Sequence, residues 1–145
     1  PGGEVYTRRT FSDRRYDSQA INSFGHAVPT VAGRLQRTGR AAQGRVVRTE
    51  FTDERDKLVF DLRSAYAVEE LEKLERTFVY SREGAGSLTV TDEAVFSEAR
   101  PFGTALVTFG RFERWRSRRP AARSRSRRRS LTRTCWPSGR RRGSA

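Results

Sequence analysis

The sequence predicts an all-β chain, an antiparallel β-sandwich, and three observations predict it. Apolar and polar residues alternate in short runs from Arg45 to Phe96. Clusters of turn-forming residues, "TDERD" and "EGAGS", separate those runs. Helical spacing is confined to one short stretch, so strands at short intervals must account for most of the buried surface.

The elements follow in order. In "INSFGHAVPTVAGRLQ", Ile21 to Gln36, His26 stands beside a glycine and ahead of a short apolar strand, with Gly33 supplying a turn. "RVVRTEF" leads through "TDERD" into "KLVFDLR", where Leu58, Phe60 and Leu62 alternate with polar or smaller residues. That is a hairpin with one buried face. "AVEELEKLER" is ambiguous: Val68, Leu71 and Leu74 have helical spacing among good helix formers, which suits a single helical turn between strands. "LERTFVYSR" places Leu74, Phe78 and Tyr80 on one face. After the two glycines of "EGAGS", "LTVTDEAVF" does the same with Leu88, Val90, Ala94 and Phe96. Asp92 falls on that inward register, so it needs a partner or a place at the sheet's rim. "TALVTFG", after Pro101, reads as a further short strand.

At 145 residues the chain is long enough for one domain with a modest core. Its net charge of +13 suggests an anionic partner, but the distribution of that charge argues otherwise. Residues 1–113 contain 17 basic and 17 acidic side chains, and residues 114–145 add 13 arginines and no acid. The chain therefore divides into a balanced body, 1–113, and an arginine-rich tail, 114–145, with too little apolar surface to offset its ordering entropy. The tail is expected to be disordered. It is open to three readings: a basic arm for nucleic acid, a solvated tail without a role, or a frame-shifted stretch of a GC-rich gene. The frame shift is preferred, because the arginines begin abruptly after a strand-like segment. The lack of any methionine suggests that Pro1 is not a natural start and that the chain is a fragment. No stretch resembles a signal peptide or membrane span, so a membrane partner is not expected. The single cysteine, Cys135, lies in the tail.

The body shows no internal repeat, phosphate-binding glycine loop or cysteine–histidine cluster. His26 is the one histidine, and taken alone it reads as a hydrogen-bonded structural imidazole. A zinc site requires three or four ligands.

Two long segments point further. "GEVYT…TFSDRRYDSQAINSFGHAVPTVAGRLQRTGR" and "FTDERDKLVFDLRSAYAVEELEKLERTFVYSREG" resemble the C-terminal β-sandwich of heparinase II/III-like polysaccharide lyases, from about Gly3 to Glu113. Most of the likeness is carried by the histidine, short strand, glycine turn and glutamine around His26. The family commonly has Asn after that histidine, where Ala27 stands here. The resemblance implies a parent in which an N-terminal α/α-toroid faces the sandwich across a cleft that holds acidic, uronate-containing polysaccharide. It implies β-elimination, zinc held partly by His26 with a histidine and an aspartate from upstream, and a periplasmic or secreted location. Tyr16, and after it Tyr6, fall where some relatives carry a catalytic tyrosine, although each also suits an ordinary half-buried aromatic. In "TRRTFSDRRY", Arg14 and Arg15 are the candidate substrate-binding residues, since arginine recognises carboxylate or sulfate in bidentate fashion.

On this reading the chain is inactive by itself. Two other readings stay open: a non-catalytic carbohydrate-binding or structural sandwich, and nucleic-acid binding through the tail, with nucleic acid the disfavoured partner. A sandwich cut at both ends exposes strand edges, so the isolated chain is expected to be marginally stable or prone to aggregate.

Overall fold

The computed structural model describes residues 3–107 and the backbone of residues 129–137. The strands are β1 (Pro29–Val31), β2 (Arg45–Phe51), β3 (Arg55–Asp61), β4 (Leu71–Ser81), β5 (Ser87–Phe96), β6 (Phe102–Thr104) and β7 (Arg129–Pro137). Strands β2, β3, β4, β5 and β7 form one antiparallel sheet in that order, and β1 pairs with β6 in a second, two-stranded sheet. The all-β architecture expected from the alternation is the one the chain adopts.

The register explains which residues reach the core. Leu58 faces Phe78 and Phe60 faces Arg76 across β3 and β4, while Leu74 faces Ala94 and Arg76 faces Asp92 across β4 and β5. Alternation along each strand puts all of these on one side of the larger sheet. Leu74, Ala94 and Phe96 are buried there with Val31 of β1 and with Ala65, Tyr66, Val68 and Leu71 from the β3–β4 connection. Leu62 and Phe102 pack against the cluster's margin. The small sheet and the connection thus cover one end of that face. Farther along it, Phe60 and Phe78 meet edge-on with ring centroids 6.1 Å apart and are only half-buried.

Three local expectations change. The helical spacing of Val68, Leu71 and Leu74 gives no helical turn at those positions. A 3-10 turn lies earlier, at Arg63–Ala65, and β4 is extended from Leu71 onward. A bulge between Leu71 and Lys73 explains the pattern, because one extra residue lets positions three apart face inward together. The strand expected in "TALVTFG" is shorter and earlier: β6 ends at Thr104, and residues 108–110 lie outside the described residues. Part of the tail also differs from its expected disorder, since Arg129–Pro137 pairs along β5 as β7. "RSLTRTCWP" contains threonines, cysteine and tryptophan, residues that favour strands, and the tail's average composition conceals them. The rest of 114–145 lies outside the described residues.

Asp92 finds the partner its inward register requires. Arg76 Nε donates to Asp92 Oδ1 at 2.6 Å and Nη2 to Oδ2 at 2.8 Å, with both residues buried. Arg76 Nη1 also donates to the Ala27 carbonyl at 2.6 Å, and Nη2 to Thr104 Oγ1 at 2.7 Å. Removing one member of a buried pair strands the other charge, at a cost of about 3–5 kcal/mol. Asp92→Ala should therefore lower the unfolding free energy by about that much, measured by urea titration. Arg76→Met combined with Asp92→Leu should recover part of the loss. A single-mutant effect below about 1 kcal/mol would mean that water reaches the pair.

Candidate functional site

The candidate residues lie on one irregular segment ahead of β1. The segment is organised by short-range polar contacts. Glu4 accepts hydrogen bonds from Arg9 Nη2 at 3.0 Å, Thr10 Oγ1 at 3.3 Å and Ser18 Oγ at 2.5 Å. These contacts, the Ser18 hydrogen bond foremost, hold the Glu4 carboxyl below its ordinary value of 4.5. Between the tethered positions the chain makes 3-10 turns at Arg8–Phe11 and Asp13–Asp17, and a third follows at Ser23–Gly25. Ser12 Oγ accepts from the Arg14 amide and Asn22 Oδ1 from the Phe24 amide, so each of the last two turns starts on a side-chain cap.

These turns place the two tyrosines differently. Tyr16 is half-exposed, with the Arg15 guanidinium 5.2 Å from its ring centroid. Tyr6 is far more open and lies against Phe11, ring centroids 5.7 Å apart. Arg14 Nε donates to Asp17 Oδ2 at 3.1 Å on the exposed surface. Arg15 and Tyr16 are thus brought together, and Arg14 is beside them in sequence but engaged with an acid. Val5, Tyr6, Phe11 and Phe24 are all exposed, an unusual density of apolar side chains for one short segment.

His26 follows the third turn and is half-buried. Its carbonyl accepts from the Val28 amide at 2.8 Å, and the adjoining Ala27 carbonyl is the group that Arg76 binds. The backbone at His26 is therefore fixed to the larger sheet. Among the described residues no group of three or more His, Cys, Asp or Glu side chains gathers as a metal site, so the residues present do not fit zinc by themselves. The turn predicted at Gly33 is present. Val31 and Arg34 bond to each other across Ala32 and Gly33, whose φ angles are 52° and 71°.

Tyr66 is a site feature that the sequence pattern does not single out. It is buried, its hydroxyl donates to the Pro29 carbonyl, and its pKa is pushed up to about 12, chiefly by burial. The nearby Gln36 side chain opposes that rise. The strand and glutamine that follow His26 therefore converge on a buried phenol. A concavity of about 360 Å3 lies elsewhere, lined by Thr52, Glu54, Arg55, Ser81 and Glu83 at the turns of the larger sheet.

No protein-family model matches the chain, and no curated protein matches it. Among the described residues no helix is long and apolar enough to cross a membrane.

The Tyr66 shift fixes the sign of an alkaline transition. A phenol whose pKa is higher in the folded chain adds stability below its ordinary value of 10.0 and loses it as pH rises toward about 12. Stability measured across that window should fall in the wild type. In Tyr66→Phe it should start lower by about 1–3 kcal/mol, because the Pro29 carbonyl loses its donor, and this component of the pH dependence should vanish.

Proposed function

We propose that the chain is the β-sandwich part of a heparinase II/III-like polysaccharide lyase, which in its intact form cleaves uronate-containing polysaccharide by β-elimination. The observation that carries this reading is the exposed aromatic and arginine segment from Val5 to Phe24, joined to a histidine whose backbone is anchored on the sheet. Aromatic faces suit the C–H faces of sugar rings, and guanidinium groups suit carboxylates. Arg14 and Arg15 neutralise the uronate carboxylate, which makes the C5 proton more acidic. Tyr16, with Tyr6 the second candidate, takes that proton as general base. The C5–H electron pair becomes the C4=C5 double bond, the C4–O bond breaks, and the leaving oxygen takes up a proton. The other groups, including the toroid and the remaining zinc ligands, come from outside these residues, so the chain alone is inactive.

Binding of a uronate oligosaccharide to the isolated chain, followed by calorimetry, tests this reading. Arg14→Ala and Arg15→Ala should each weaken binding about tenfold, the value of one charge-assisted hydrogen bond. Replacing the arginines of residues 114–128 by serine, which leaves β7 in place, should leave binding intact; if binding disappears with them, the tail is the contact. The full-length gene product should release unsaturated uronate, seen by ultraviolet absorbance, and the isolated chain should release none. Binding without release by the full-length protein would favour a non-catalytic carbohydrate-binding sandwich.

A further inference from the structure

Strand β2 is an outer strand of the larger sheet. One of its edges pairs with β3, and the other faces no strand among the described residues. Nearly the whole strand is exposed, including Val46, Val47 and Phe51, with Phe51 at 68%. A free edge bearing apolar side chains is a template for another strand. Proteins commonly blunt such edges with bulges and charges, and β2 has both. Its charges, however, are sorted in a way that simple blunting does not require.

Reading "RVVRTEFTD", the bases Arg45 and Arg48 come first and the acids Glu50 and Asp53 follow. Two antiparallel copies of such a strand bring opposite charges together. A two-fold axis sets one residue opposite itself in the second copy, which leaves few registers. Centring on Arg48 or Glu50 places like charges face to face, which is unfavourable. Centring on Val47 sets Arg48 against Val46 and Arg45 against Thr49, leaving Arg48 and Glu50 only the ion pairs they make within the chain, with each other at 3.7 Å and from Arg55 to Glu50 at 2.8 Å. Centring on Thr49 sets Arg48 against the second copy's Glu50 and Glu50 against its Arg48, while Val47 sits in the bulge and Arg45 lies beyond it. The bulge between Val46 and Arg48 does not intrude, because the central pairs fall in the regular stretch from Arg48 to Phe51.

We propose that β2 pairs with a second copy of the same chain, antiparallel and centred on Thr49, joining two five-stranded sheets edge to edge. This interface is independent of the proposed lyase role, since it uses neither the segment before β1 nor His26.

Light scattering and sedimentation over a range of concentrations test it. The wild type should pass from monomer to dimer as concentration rises. In a dimer of the Arg48→Glu variant, carboxylates face each other at both symmetry-related places. In a dimer of the Glu50→Arg variant, guanidinium groups face each other there. Each variant alone should weaken dimerisation about tenfold. Mixing the two variants leaves the like-charged pairs behind only in homodimers. A heterodimer sets two acids of one chain against two bases of the other, so heterodimers should form at near wild-type concentrations, identified by mass. Circular dichroism of each variant before mixing separates a lost interface from a lost fold. Should either variant fail to fold, Thr49→Cys in a Cys135→Ser background replaces it, and oxidation should yield a covalent dimer. A wild type that stays monomeric throughout, single variants that dimerise like the wild type, a mixture that stays monomeric, or a Thr49→Cys chain that does not cross-link would each overturn the proposal.

Discussion

A guanidinium removed from water must find acceptors for its N–H groups and a counter-charge for its cation, and Arg76 finds both in one place. Asp92 on β5 supplies the charge, while Thr104 on β6 and the Ala27 carbonyl ahead of β1 take two further bonds. Strands β1 and β6 have three residues each, and a two-stranded ribbon that short has little stability in water. It persists because Val31 enters the core from one side and Arg76 clamps the ribbon from the other. The second sheet, the entry to β1 and the backbone at His26 all depend on one side chain of β4. Desolvating the pair is costly, so its main contribution is geometric: four chain segments must meet at one guanidinium for the pair to be satisfied.

The sheet was legible because period-two alternation states it directly. The β2–β3 hairpin, β5 and the inward position of Asp92 follow from counting by twos, but the hairpin's buried face does not: β2 is exposed nearly throughout, and the buried residue of β3 is Val59, not its neighbours Leu58 and Phe60. Arg76 was harder to see, because its own strand looks ordinary around it. Counting by twos from Leu74 to Phe78 puts it on the inward face, but its pairing follows only from the β4–β5 register, which sets it opposite Asp92. The bulge at Leu71 hid β4's beginning in the same way. An extra residue in a strand imitates helical spacing, and periodicity by itself cannot separate the two. Burial of Tyr66 depends on the connection folding back over the sheet, a long-range event with no local signature.

The candidate site was legible as a list of residues and much less so as an arrangement. Tyr16 and Arg15 adjoin, as their adjacency in sequence suggests. Tyr6 turns toward Phe11, and His26 is fixed through its neighbour's carbonyl, with no acidic cluster around its ring among the described residues. The turns between Arg8 and Gly25 are set by which serine, asparagine or glutamate captures which amide or hydroxyl. Such choices involve contacts too small and too numerous for a pattern in the sequence to rank.

Electrostatics gives the segment before β1 its distinct character within a neutral body. Several acids and bases of the body answer one another locally: Lys73 lies between Glu75 and Glu93, Arg82 binds Asp56, and Arg100 binds Glu70 and Glu98. Those pairs leave little field beyond the surface, since opposite charges a few ångströms apart cancel within a Debye length. Before β1 the cations keep different company. Arg9 and Arg14 have acids, whereas Arg8 and Arg15 form no ion pair among the described residues and stand among exposed aromatic rings. A cation flanked by apolar surface attracts an anion more strongly than one in open water, because the surface excludes competing solvent. The proposed ligand combines carboxylates with extended apolar faces. An acidic sugar chain has that combination, and a bare phosphate backbone lacks the apolar part.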